Sequence, residues 1–300
     1  MKVERIEQII QLIKKDYTHK KIAVAAAEDE VVLKAVQKAK GINLCDFILF
    51  GDEAKIKNIS KEYNIDISDV EIIHTSNTQD SARKAIEFVS KGGADLPMKG
   101  KLATSEILSV YLKDEFGLKT GKTMNLVCVF EIPRYHKLLI IADAGMVIAP
   151  SLEQKVSIIN NAVSVANKLG IDEPKVAILG ALEKVNLKMP ATVEAAILTQ
   201  MNRRGQIKNC IVDGPFAMDN AISKEAAIHK GINSPVAGDA DILIVPDIEA
   251  GNILYKTLVY FADAKLASSI IGGKKPVVLT SRADSDESKL NAMALSILMS

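Results

Sequence analysis

The 300-residue sequence has no tryptophan, and Phe, Trp and Tyr together make up only 4% of it. So few rings offer little for stacking on nucleic-acid bases. A surplus of one charge is missing too. The 38 Lys and Arg face 37 Asp and Glu, a formal net charge of +1, and no block of about five like charges occurs. Recognition of a polyanion or a membrane surface through bulk charge is therefore disfavoured. Cys45, Cys128 and Cys210 are odd in number, far apart and free of any CxxC. That pattern reads as reduced thiols, not a disulfide framework. No apolar run reaches about 18 residues, so no membrane span is expected. The opening Met1-Lys-Val-Glu-Arg-Ile-Glu-Gln-Ile-Ile reads as an amphipathic helix with acidic residues and no apolar leader core. The expectation is a cytoplasmic protein with no nucleic-acid and no membrane partner.

Several motifs are absent as well. No G-x-G-x-x-G exists, so a dinucleotide site would lack its phosphate turn. Gly117-Leu-Lys-Thr-Gly121-Lys-Thr123 is one residue short of a phosphate-binding loop and follows a helix. His19, His74, His136 and His229 stand alone, none at ligand spacing from Cys or His, so no metal is expected. No G-x-S-x-G elbow occurs.

What is present is core material, 48% hydrophobic residues, arranged as short apolar runs alternating with longer helical patterns. Runs at 21–26, 46–51, 70–73 and 94–98 predict strands, and 29–40, 52–63 and 78–91 predict helices. Thr104 is placed to cap a further helix to Lys113. Such alternation predicts parallel strands with helices on both faces. At 124–143 the pattern changes. Asn125–Ile132 and Lys137–Asp143, linked by Pro133-Arg-Tyr-His136, predict an antiparallel hairpin. Alternation then resumes, with helices at 151–169, 190–203, 223–230 and 250–264. Strands are expected at 175–180, 209–213, 241–246, 268–272 and 276–279. The organisation expected is a first α/β domain, 1–124 plus 269–300, and a second, 125–268, carrying the hairpin.

Polar residues at strand ends carry the chemistry. Asp143, Asp213 and Asp247 each follow an apolar run, and Thr280-Ser281-Arg282 follows Val277-Val-Leu279. At the carboxyl ends of adjacent strands such groups would converge on one crevice, although an Asp there also serves as a helix cap. Ser285 is suited to cap the last helix, with Asp286 and Glu287 in its positive first turn. Thr280–Asp284 is then a tight strand-to-helix loop, where Arg282 offers forked donors for phosphate.

Taken with Met98-Lys-Gly100, Glu131-Ile-Pro, Tyr135-His-Lys, Asp213-Gly-Pro, Asp219-Asn-Ala-Ile-Ser, Pro246-Asp-Ile-Glu-Ala-Gly-Asn-Ile-Leu-Tyr-Lys256 and Thr280-Ser-Arg-Ala-Asp-Ser285, the chain resembles the phosphate acetyltransferase and phosphate butyryltransferase family. The butyryl branch is the nearer match. The resemblance implies reversible transfer of an acyl group: acyl-CoA plus phosphate gives acyl phosphate plus CoA. It implies no metal and no bound cofactor, CoA being a substrate, and a homodimer or higher homo-oligomer. It also implies two three-layer αβα domains with a cleft between them, as in isocitrate and isopropylmalate dehydrogenases, the second domain bearing the dimer interface. Ser281 and Arg282 match the family's Ser-Arg pair at the CoA and phosphate site. Asn252 and Lys256 match its Gly-Asn-x-x-Tyr-Lys segment, and Lys99 and Thr104 its first-domain loop.

Two positions depart from the acetyl-branch pattern. The Asp expected seven residues after the Ser of the pair is Ser288, and a common basic residue is Ser109. The first departure favours the butyryl branch and makes Asp284 the first choice of general base, with Asp143 and Asp213 behind it. Three alternatives stand: a phosphate acetyltransferase, a metal- and NAD-dependent hydroxy-acid dehydrogenase of the same architecture, and a non-catalytic binder of acyl-CoA or acyl phosphate.

Overall fold

The computed structural model describes residues 2–16, 19–279 and 285–300. The chain divides into two compact units, Glu7–Gly121 with Ala267–Ser300, and Met1–Ile6 with Lys122–Leu266.

The first unit opens with α1 (Glu7–Asp16) and continues β1 (Lys21–Ala25), α2 (Glu30–Gly41), β2 (Asp46–Gly51), α3 (Glu53–Glu62), β3 (Glu71–His74), α4 (Thr78–Ser90), β4 (Leu96–Lys99) and α5 (Thr104–Tyr111). The helix predicted from Met1 thus begins at Glu7. The strands form a wholly parallel sheet in the order β3-β2-β1-β4. Val24 and Ala25 of β1, and Phe47–Phe50 of β2, are buried on both faces, as a sheet covered twice by helices requires. Short polar side chains start the helices. Asp29 accepts from the amides of Val31 and Val32, Asp52 from Lys55, and Asn77 from Asp80. The chain builds outward from β1 to β3, then returns through α4 to β4 on the other side of β1. That reversal makes the β1–β4 junction the switch point of the sheet.

The second unit contains β5 (Asn125–Glu131), β6 (Leu139–Ala142), α6 (Leu152–Lys168), β7 (Lys175–Leu179), α7 (Pro190–Arg203), β8 (Ile211–Phe216), α8 (Met218–Ile222), α9 (Lys224–His229), β9 (Ile242–Ile244) and α10 (Ile248–Phe261). Strand β10 (Lys265–Ile271) begins here, and the six-stranded sheet has the order β10-β5-β6-β9-β7-β8. β5 and β6 pair antiparallel, Phe130 opposite Leu139, while β6, β9, β7 and β8 run parallel. The hairpin connection is longer than its predicted four residues, because β5 stops at Glu131 and β6 starts at Leu139. Glu131 is used instead as an anchor, its carboxylate accepting the Ile6 amide at 2.8 Å. The short helix α8 was not predicted. At the amino ends of β6, β7 and β9, Lys137 and Lys175 are knitted to Asp239 and Asp241, and His136 lies 2.8 Å from Asp239.

The strand predicted at 276–279 is reduced to a two-residue spacer. Val278 bridges Met98 in parallel and Val277 bridges Ile270 antiparallel. From Ser285 the chain enters α11 (Asp286–Leu298), which packs on α1 and α2 and is buried from Lys289 to Leu298.

Candidate active site

Two strand ends meet at the switch point of the first unit. β1 leaves the sheet at Ala26 and β4 at Lys99. Gly100 donates its amide to Ala25 O at 2.8 Å, and Lys101 to Ala26 O at 2.7 Å. Gly100 has no room for a side chain, since a Cβ would fall 2.2 Å from Ala26 O. Lys99 is buried, 9% exposed, and its ammonium donates to the carbonyls of Leu102 at 3.1 Å and Gly100 at 3.4 Å. Those bonds offset the cost of taking the charge out of water and stiffen the loop. On its other side the Lys99 amide donates to Val278 O at 3.1 Å.

Thr104 is not the cap it was predicted to be. It is the first residue of α5, and Ala103 occupies the cap position, donating its amide to Glu106 Oε2 at 2.7 Å.

Ser281, Arg282 and Asp284 lie outside the described residues. Both of their flanks are described. Val278 is paired beside β4, and Ser285 caps α11, its hydroxyl accepting the Ser288 amide at 3.1 Å. The expected cap is therefore present, and position 288 is the third residue of the helix, its hydroxyl 3.0 Å from that of Ser285.

The remaining residues belong to the second unit. Asp143 follows β6 and is 3% exposed. Its Oδ1 accepts the amides of Leu126 and Gly145 at 3.1 and 3.0 Å, and its Oδ2 that of Val147 at 2.7 Å. Burial raises its pKa, and the amides pull against that rise. Both oxygens shape the loop at 143–147. Gly251 lets α10 approach that loop, a Cβ there falling 2.4 Å from Asp143 O. Asn252 is exposed beside it. Lys256, one turn on, lies with its ammonium 4.7 Å from the Tyr255 ring centroid. Asp247 caps α10 through the Ala250 amide at 2.9 Å.

Asp213 does not close a strand. β8 continues through Gly214 and Pro215 to Phe216, and Asp213 pairs in register with Ala177. The Gly-Pro pair reads locally as a break, but the neighbouring strand carries the pairing past it, with a register shift between Ala177 and Leu179. The expectation that the four strand ends lie on adjacent strands is corrected as well. Val277–Val278 bridges β4 of the first unit, whereas Asp143, Asp213 and Asp247 lie in the second unit, and β7 separates β8 from β9.

Among known proteins, the sequence model described as phosphate acetyl/butaryl transferase matches residues 5–83 and 70–297. The chain belongs to this family. It is 56% identical over 277 residues to a phosphate acetyltransferase of Thermotoga maritima, covering 92% of this chain and 94% of that one. It is 47% identical over 297 residues to a phosphate butyryltransferase of Clostridium acetobutylicum, covering 99% and 98%. The structure of a branched-chain phosphotransacylase from Enterococcus faecalis V583 superimposes with a TM-score of 0.82 at 35% identity, covering 93% of this chain and 98% of that one. A 4-hydroxythreonine-4-phosphate dehydrogenase from Burkholderia phymatum, 14% identical with a TM-score of 0.53 over 94% and 98%, shares the fold alone. This family member is an α/β protein of two mainly parallel sheets with the architecture of the isocitrate dehydrogenase-like enzymes. Overall identity to the relative named for acetyl transfer exceeds that to the one named for butyryl transfer, so similarity alone does not favour the four-carbon branch. Among the described residues no helix is long and apolar enough to cross a membrane.

Two residues around the Lys99 loop were missed from the sequence. Ser81 is fully buried on α4 in step with Ala82 and Ala85, a polar residue on an apolar stripe. That is the one signal that marks it. Tyr111 is also fully buried, and nothing local reveals its partner, Lys275, 164 residues away.

Proposed function

We propose that this family member interconverts a short-chain acyl-CoA and phosphate with the acyl phosphate and CoA. A phosphate oxygen attacks the thioester carbonyl carbon, the new C–O bond forms, and the C–S bond breaks to release CoA as thiolate. In reverse the thiolate attacks the acyl phosphate. Arg282, with the N-terminus of α11, holds the phosphate. Ser281 donates to the acyl or phosphate oxygen as charge develops. Asp284 handles the thiol proton. Lys99 and Thr104 border the site, and Asn252 and Lys256 contribute to CoA binding. The reaction uses no metal and no bound cofactor, and the working form is a homo-oligomer.

The observation that supports this best is the pairing of Lys99 N with Val278 O at 3.1 Å. It sets Val278 next to the switch-point loop, and Ser285 stands at the N-terminus of α11. No cysteine is needed as a nucleophile. Burial raises the thiol pKa of Cys45 and pushes that of Cys210 up to about 11, opposite to the shift a nucleophile requires.

For the acyl group we propose a four-carbon chain, on the strength of Ser288 replacing the acetyl-branch acid. The second reading is acetyl, favoured by the 56% identity to the Thermotoga maritima protein. One methylene in a pocket is worth only about 1–3 kcal/mol, so the preference is graded. Thiol release from acetyl-, propionyl-, butyryl- and isobutyryl-CoA, with and without phosphate, tests both. Phosphate-dependent release with kcat/KM highest for butyryl-CoA supports the proposal, and a maximum at acetyl-CoA supports the second reading. Arg282→Ala should lower turnover about 10²–10³-fold; near-normal turnover would remove Arg282 from the site.

A further inference from the structure

The Lys99–Lys101 loop is placed by a residue that does not touch it. Ser81, fully buried, accepts the Ala26 amide at 2.6 Å and donates its proton to Phe50 O at 2.9 Å. One hydroxyl from α4 therefore ties the ends of β1 and β2 together. Phe50 O also accepts the Ala27 amide at 3.0 Å, so the chain is gripped on both sides of Ala26. Between those grips Ala26 has φ of 54°, in the left-handed region that a residue with a Cβ rarely adopts.

That backbone turn has a consequence. In an extended strand successive carbonyls point to opposite sides. With Ala26 left-handed, the carbonyls of Ala25 and Ala26 both face β4, and they meet the consecutive amides of Gly100 and Lys101 at 2.8 and 2.7 Å. The contact is close enough that only glycine fits at 100. Were Ala26 to relax to an extended conformation, one carbonyl would swing away and the loop would lose half of its attachment to β1.

We infer that Ser81 is a positioning residue for acyl transfer, holding Ala26 left-handed so that its carbonyl fixes the Lys99–Lys101 loop. The inference rests on the proposed function, in which that loop borders the acyl-CoA site. Ser81→Ala removes the acceptor of the Ala26 amide. Its expected effect is a rise of about tenfold in KM for acyl-CoA with a smaller change in kcat, because a loop displaced by a fraction of an ångström misplaces substrate first. Glycine reaches positive φ without steric cost. Ala26→Gly added to Ser81→Ala should therefore recover most of the lost affinity, while Ala26→Gly alone stays close to wild type. A general packing role for Ser81 would give no such rescue.

Amide hydrogen exchange supplies a readout independent of catalysis. In wild type the Gly100 and Lys101 amides should be protected to the same degree as that of Ala26, opening as one unit. In Ser81→Ala all three should exchange faster, with the strand amides of β2 unchanged. An unchanged KM in Ser81→Ala, failure of the double variant to recover, or independent exchange of Gly100 and Lys101 in wild type would each overturn the inference. If the wild type releases no thiol from any acyl-CoA in the presence of phosphate, the functional reading fails, and the exchange pattern alone decides the structural link. Should Ser81→Ala not fold, the wild-type exchange comparison still decides it.

Discussion

Tyr111 and Lys275 are joined twice. The phenol donates to Lys275 O at 2.7 Å and accepts the Lys275 amide at 3.1 Å. Gly273 passes so close to the hydroxyl that a Cβ would fall 2.1 Å from it. Lys274 N donates to Leu118 O at 2.9 Å, and Thr120 bonds Gly272 O. The turn between β10 and the Val277–Val278 spacer is thus fastened to the end of α5 and the segment after it. From that turn the chain enters the pairing with Met98 and Lys99. Burial pushes the Tyr111 pKa up to about 12, so the phenol stays a donor across the working pH range.

Tyr111→Phe removes both bonds and leaves two main-chain groups of Lys275 without them. We expect a loss of about 1–2 kcal/mol, seen as a lower denaturation midpoint. Acyl transfer should fall several-fold as the register of Val278 against β4 loosens.

Gly100→Ala should be worse for activity than for stability. Its methyl meets the Ala26 carbonyl at 2.2 Å, so the loop must move. A loss of about 10²-fold in kcat/KM is expected. Gly41→Ala is the control. Nothing lies within 4 Å of that position, which ends α2, and activity there should be unchanged.

Asp143→Asn separates a structural carboxylate from a general base. Its oxygens accept three amides, and an amide nitrogen in place of one oxygen would face a donor. A loss of about 2–3 kcal/mol is expected from chemical unfolding. The pH profile of the remaining activity should match wild type, because the proton transfer is assigned to Asp284.

Asp239 ties acid stability to the amino edge of the second sheet. Burial opposes its charge, but hydrogen bonds from Lys175, His136 and Lys137 hold its carboxyl well below the usual carboxylate range. A carboxylate depressed on folding stabilises above its unfolded pKa of about 4, and that contribution is lost as pH falls through the lower folded value. Asp239→Asn should therefore lower stability at pH 7 by about 2 kcal/mol. It should also flatten the wild-type decline below about pH 4, as followed by circular dichroism against pH.

The first sheet was legible because each of its strands is a short apolar run between polar caps. β2 falls on its predicted bounds, Asp46–Gly51, and Asp29, Asp52 and Asn77 start their helices as side-chain acceptors. The antiparallel hairpin was visible for the same reason. Features that depend on distant partners were not. Val277–Val278 reads as a strand, but its length is set by Ile270 on one side and Met98 on the other. Asp213 reads as a strand end until β7 is seen to carry β8 past Gly214 and Pro215. The family resemblance, through Met98-Lys-Gly100, pointed to Lys99. Its side chain is held locally by Gly100 and Leu102, but its backbone is held by Val278, far along the chain, and no local pattern encodes that partner.

The three cysteines bear on how the reaction can be followed. Cys45, Cys128 and Cys210 are all buried, the most accessible only 7% exposed. A colorimetric thiol reagent added to the native protein should therefore record CoA and almost nothing from the enzyme itself. In denaturant the same reagent should titrate three thiols per chain, so a single chemistry serves both as the turnover signal and as a counter of unfolded molecules.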